Sequence, residues 1–136
     1  MQLNNLKYLA IVLFCFNSAC FAVSPDFLLE KALANGQAEG LIDGPMADGM
    51  RQVTHANSTP HMRIVREKIT KQGCYVTLTT LTIPDIPSTT GKNLGDYITQ
   101  TRTQMCPNGD DPLSGKFVEV ISCTVGGHPC PNPYKQ

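Results

Sequence analysis

Four cysteines, Cys74, Cys106, Cys123 and Cys130, constrain this chain more than any other feature, because the way they pair limits how its strands can be ordered. Whether they pair depends on where the chain matures. Met1 to Lys7 is polar with one positive charge, and Tyr8 to Phe16 is an apolar run of about nine residues, the length of a signal h-region. A membrane-spanning helix needs roughly 20 such residues, and Asn17 and Ser18 end the run first. Small residues at Cys20 and Ala22 fit signal-peptidase cleavage, so residues 1–22 read as a secretory signal peptide. Residues 23–136 then read as a single small exported domain, periplasmic or extracellular. The alternative is a lipoprotein box at Asn17-Ser18-Ala19-Cys20, with Cys20 acylated; Ser18 and Ala19 fit it, whereas Asn17 stands where a larger aliphatic residue is expected. Membrane attachment is expected only in that case. Cys15 and Cys20 belong to the export segment, which leaves an even number of cysteines in an oxidising compartment and three ways to pair them.

Local signals divide the domain. Ser24-Pro25-Asp26 supplies an N-cap, a proline at the first helical position and an acid in the first turn, while Asn35-Gly36 is a helix stop, predicting a helix from Pro25 to Ala34. Gln37 to Met50 is rich in glycine and acids and is compatible with a short strand over Ala38 to Ile42 and a short helix from Pro45 to Val53. His61 to Thr70 and Cys74 to Ile83 are dense in Val, Ile, Thr and Tyr around Lys71-Gln72-Gly73, the pattern of a β-hairpin. On the second of these strands both faces are partly apolar, which implies cover on both sides near Val76 and Leu78. Pro84 to Gly91, with two prolines in its first four positions, is a surface excursion; Asp96 to Met105 and Lys116 to Val125 are further strands, separated by the turn residues from Cys106 to Gly115. The tail, residues 126–136, carries Pro129, Pro131 and Pro133 and reads as irregular. The expected fold is α+β, one N-terminal helix packed on a four- or five-stranded antiparallel sheet with two disulfides.

If the last four strands form a meander, geometry chooses among the pairings. Cys74 opens one strand and Cys106 closes its neighbour, so they meet. Cys123 lies about seven residues, or roughly 23 Å, beyond the turn after Cys106, and must pair with Cys130 across the Gly126-Gly127 pair.

The charge excludes one class of function. Removing residues 1–22 takes away one of eleven basic residues, Lys7, and none of eleven acidic ones, leaving a formal net charge of −1. No basic stripe suited to nucleic acid is present. Cys130 beside His128 suggests a thiol nucleophile, but a cysteine in a disulfide has no thiolate. His55, His61 and His128 lack metal-ligand spacing, and Asn108-Gly109-Asp110-Asp111 has turn chemistry without the closing Glu of a calcium loop. Asp43 and Asp48 add carboxylates without a catalytic partner, no Gly-x-Ser-x-Gly elbow occurs, and no catalytic, metal or cofactor site is expected. Asn57-Ser58-Thr59 matches a glycosylation sequon.

Gly73-Cys74, Gly91-Lys92 and Gln104-Met105-Cys106-Pro107-Asn108-Gly109 with Pro112, preceded by Leu29, Ala32-Leu33, Gly36, Ala38 and Gly40, resemble a pattern in small exported proteins of unknown role encoded with bacterial conjugative and type IV secretion elements. The overlap runs from Leu29 to Pro112, and Met105 replaces the aliphatic residue expected before that cysteine. The resemblance implies a non-enzymatic accessory protein of the cell envelope, acting on a protein partner. The alternative reading is a disulfide-stapled inhibitor of a foreign hydrolase presenting Pro84, Asp85, Ile86 and Pro87 as its binding loop. A small hydrolase ranks last.

Overall fold

The computed structural model describes residues 22–106 and 118–131. Residues 1–21, with Cys20, lie outside them, as do residues 107–117 and 132–136, so the readings of a signal peptide and of a turn after Cys106 fall outside the described residues. The order of elements is α1 (Pro25–Asn35), β1 (Gln37–Leu41), α2 (Pro45–Thr54), β2 (His61–Ile69), β3 (Tyr75–Ile83), β4 (Tyr97–Met105), β5 (Val118–Val125) and β6 (His128–Pro129). The strands form one six-stranded sheet in the order β1-β2-β3-β4-β5-β6, every neighbouring pair antiparallel. The α+β class and the meander are as expected, but one helix on four or five strands is not: the described residues hold two helices and six strands.

The extra elements are those with weak local signals. Gly44 caps α2 without a side-chain hydrogen bond, and Gly49 sits inside it, so the helix depends on burying Ala47 against Ile42 and Met62. β6 arises because Gly126 and Gly127, at φ 57° and 82°, form the positive-φ turn that joins closely paired strands. The first part of the tail is therefore a hairpin arm rather than irregular chain.

By contrast, α1 is set by its own ends. Ser24 Oγ accepts from the Phe27 N–H at 3.3 Å, and Gly36 at φ 92° donates to the Ala32 carbonyl at 2.8 Å. Arg66 of β2 then ties the helix end to the sheet: its backbone N–H donates to the Gly36 carbonyl at 2.8 Å and its guanidinium donates to the Leu33 carbonyl.

The main core lies between the helices and the first strands, built from Leu28, Ala32, Ile42, Ala47, Met62 and Ile64. A second cluster, Ala56, Ile83 and Ile86, closes the end of the sheet next to Met50 and Tyr97. Each leucine, isoleucine or methionine buried here contributes about 1.5–3 kcal/mol before entropic costs, and each alanine less.

Both disulfides pair as the meander requires. Tyr75 faces Met105, so Cys74 and Cys106 are the next pair along the ladder, with Cα atoms 4.1 Å apart. Cys123 faces Thr99 and is joined to Cys130 at a Cα separation of 5.3 Å. Such bonds persist in oxidising compartments, so the fold is that of an exported protein. Among the described residues no helix is long and apolar enough to cross a membrane.

Candidate binding surface

The sheet has two faces of different character, and register assigns every side chain to one of them. Met62 pairs with Leu81 and Ile64 with Thr79, so the face turned to the helices continues through Tyr75, Thr77, Thr79, Leu81 and Ile83 of β3. Across the next ladder it takes in Tyr97, Thr99, Thr101, Thr103 and Met105 of β4, and then Val118, Val120 and Cys123 of β5. The helix α1 packs on β1 and β2 only. α2 reaches further, setting Met46, Met50 and Val53 beside Leu81, Ile83 and Tyr97, so the helical layer covers β3 and stops at β4, leaving most of β4 and β5 beyond it.

Two recesses lie along this margin. One, of about 300 Å³, has Thr77, Thr79, Thr101 and Thr103 as its floor, with Met46, Met62 and Met105 at its sides. The second, of about 410 Å³, is formed by Met50, Val53, Leu81, Ile83 and Tyr97 and shares Met46 with the first. Together they run from the Ile83–Tyr97 pair to the neighbourhood of the Tyr75–Met105 pair, eight residues or about 26 Å along the strands. Val53 is 81% exposed and Met46 51%, an unusual presentation for apolar side chains lining a groove. All four methionines beyond Met1 line this groove.

Its lining is rich in methyl and thioether groups and poor in charge. Threonine offers methyl and hydroxyl groups together, and methionine adapts its unbranched side chain to irregular partners. Asp26 is the only charged residue lining either recess. Among the described residues no three His, Cys, Asp or Glu side chains gather to hold a metal. His55 ends α2, His61 begins β2 beside Glu39 at 3.6 Å, and His128 lies in β6. Asp48 pairs with Arg51 on α2.

The opposite face is polar and charged. Arg102 donates to Glu67 at 2.7 and 3.2 Å and to Glu119 at 3.5 Å, linking three strands. The hydrogen bond from Arg102 lowers the Glu67 carboxyl below its ordinary range, and the same bond raises the guanidinium. Val76, expected to lie under a second layer, is indeed buried, but by Lys68, Arg102 and Gln104 standing around it.

The excursion proposed as a binding loop is held by its own bonds. Ile86 and Gly95 pair at 2.9 Å, Leu94 N–H donates to the Ile86 carbonyl at 2.8 Å, and Ser88 N–H donates to the Lys92 carbonyl at 2.8 Å. Asp85, at φ 55°, donates its N–H to the Asp96 carboxylate at 3.2 Å and accepts from Asn93 Nδ2 at 2.9 Å. Ile86 is buried in the second core cluster, Pro84 and Pro87 are half-buried, and Asp85 alone of the four is exposed. Asn57 of the sequon is exposed, while Ser58 Oγ donates to the Pro84 carbonyl.

The groove was not foreseen from the sequence. Alternating threonines in β3 and β4 signal strands, but only the position of the helices decides which threonine row stays open. Comparison with protein-family models, with curated proteins and with solved structures finds no match to this chain.

Proposed function

We propose that the protein is a non-enzymatic binding protein of the periplasm or cell exterior, and that it takes an amphipathic helix of a protein partner into the threonine–methionine groove. The observation that carries this reading is the incomplete helical layer. On this face the helices leave most of β4 and β5 uncovered, with Val118 and Val120 exposed, so a further helix has sheet to lie on beside α1 and α2. The groove length of about 26 Å accommodates roughly 17 helical residues. An uncharged floor suits an apolar helix face, since a charged one would be desolvated without a counter-ion.

The resemblance to exported proteins of conjugative and secretion elements suggests a component of such an apparatus as the partner. The inhibitor reading calls for an apolar residue presented by the excursion, and the burial of Ile86 favours the groove instead. The test is capture from an envelope extract with the oxidised protein and with the M46K and V53K variants. Both positions are exposed, so their substitution leaves the core intact. One envelope component retained by the native protein and lost by both variants supports the reading. Equal retention by all three, or recovery of a muramidase or protease, overturns it.

A further inference from the structure

Of the side chains in the groove, methionine is the one a mild oxidant changes most readily. Every methionine of residues 23–136 lines it: Met46, Met62 and Met105 in the first recess, Met46 and Met50 in the second. Their surroundings differ. Met62 is 6% exposed and belongs to the main core, Met50 packs against both core clusters, and Met105 is half-buried. Met46 is 51% exposed, belongs to neither cluster, and is the one side chain shared by the two recesses.

The start of α2 sets that exposure. Pro45 opens the helix and puts Met46 in its first turn, with Met50 and Val53 four and seven positions on, so the three share one side. Ala47, next in sequence, takes the buried position beside Ile42 and Met62. The helix is therefore anchored without Met46, whose sulfur can be modified without loosening the core.

We propose that Met46 is an oxidation site for hydroperoxides and that its sulfoxide releases the partner helix from the groove. The release rests on the groove reading; the site of oxidation does not. The thioether sulfur gives an electron pair to the terminal oxygen of the hydroperoxide, the O–O bond breaks and an S–O bond forms. The proton of the attacked oxygen passes to the leaving one, which departs as water or an alcohol. Sulfur loses two electrons and the peroxide gains them.

The product replaces a polarizable apolar group with a polar acceptor. Water bonds the new oxygen while the groove is open, and an apolar helix face laid over Met46 removes that water. Of the hydroxyls lining the groove, Thr54 already donates to the Met50 carbonyl at 2.7 Å and Thr77 to the Thr103 carbonyl at 3.4 Å. An acceptor covered without a donor weakens binding roughly tenfold.

Treating the disulfide-bonded protein with hydrogen peroxide, until about one oxygen has been added per chain, tests this. Peptide mass spectrometry locates the oxygen, circular dichroism follows the fold, and the envelope capture described above reads the groove. The first oxygen is expected on Met46, with Met62 about tenfold slower, in keeping with 51% against 6% exposure. The singly oxidised protein keeps its spectrum and retains the envelope component roughly tenfold less well. M46L, with an apolar side chain of similar volume, retains the component before and after the same dose. A first oxygen on Met62, or equal rates at all four methionines, overturns the oxidation site. Undiminished retention after oxidation at Met46, or an equal loss in M46L, overturns the release. If the untreated protein retains no component, the groove reading fails and the release with it, while the mass spectrum still decides whether Met46 is the oxidation site.

Discussion

Removing the two disulfides one at a time separates a crosslink that restrains much of the sheet from one that pins its end. Cys74 and Cys106 are 32 residues apart, and restraint of the unfolded chain across that loop is about 3.7 kcal/mol in the chain-entropy description; for Cys123 and Cys130, 7 residues apart, it is about 2.4 kcal/mol. Burial widens the gap. Cys74 is 2% exposed, so an alanine there leaves a void that the neighbouring strands close only in part, whereas Cys123 and Cys130 are only half-buried. The C74A/C106A variant is expected to lose roughly 4–5 kcal/mol and C123A/C130A about 2 kcal/mol. Equilibrium urea unfolding followed by far-UV circular dichroism measures both. If C123A/C130A costs as much as C74A/C106A, the ordering from loop length and burial is wrong.

Three further perturbations probe other parts of the fold. A Cβ on Gly126 would stand 2.1 Å from the Leu94 carbonyl oxygen, at a backbone φ of 57°, so G126A is expected to destabilise the protein by more than about 3 kcal/mol, read as a large drop in melting temperature. I86A removes the anchor of the excursion and is expected to cost about 2–4 kcal/mol in urea unfolding, with the Ser88–Lys92 tip losing hydrogen-exchange protection. The Glu67 carboxyl titrates lower when folded than unfolded, so its contribution is fully present above the ordinary carboxylate range and is lost as pH falls through the lowered value; E67Q is therefore expected to lose less stability than the native protein between neutral and strongly acidic pH.

How much of this was legible in the sequence varies with how local the signal is. The cap at Ser24, the proline behind it and the stop at Gly36 define α1 to within a residue, because the end groups of a helix are satisfied by near neighbours. The β2–β3 hairpin and the cysteine pairing followed from strand length and alternation, and the structure adds only a register shift between Arg66 and Lys68. The second helix was readable as an element but not as part of the architecture, since what fixes it is the burial of Ala47 against residues distant in sequence. β6, two residues long, has no pattern of its own and exists through the turn that precedes it. Val76 illustrates a different difficulty: apolar residues on both faces of β3 suggested a layer on each side, yet charged side chains with long stems bury it. Ile86 looked like a presented residue because prolines surround it, and prolines report backbone shape rather than which way a side chain turns.

The groove depends most on information absent from local sequence, and the test of its proposed role must distinguish one face of a sheet from the other. The most direct measurement is a methyl NMR titration of the oxidised protein with the partner captured from the envelope, following threonine and methionine resonances. Shifts confined to Met46, Met105, Thr101 and Thr103, with Thr80 and Thr82 on the opposite face unmoved, are the predicted result. Shifts at Thr80 and Thr82 with the groove methyls unchanged would contradict it.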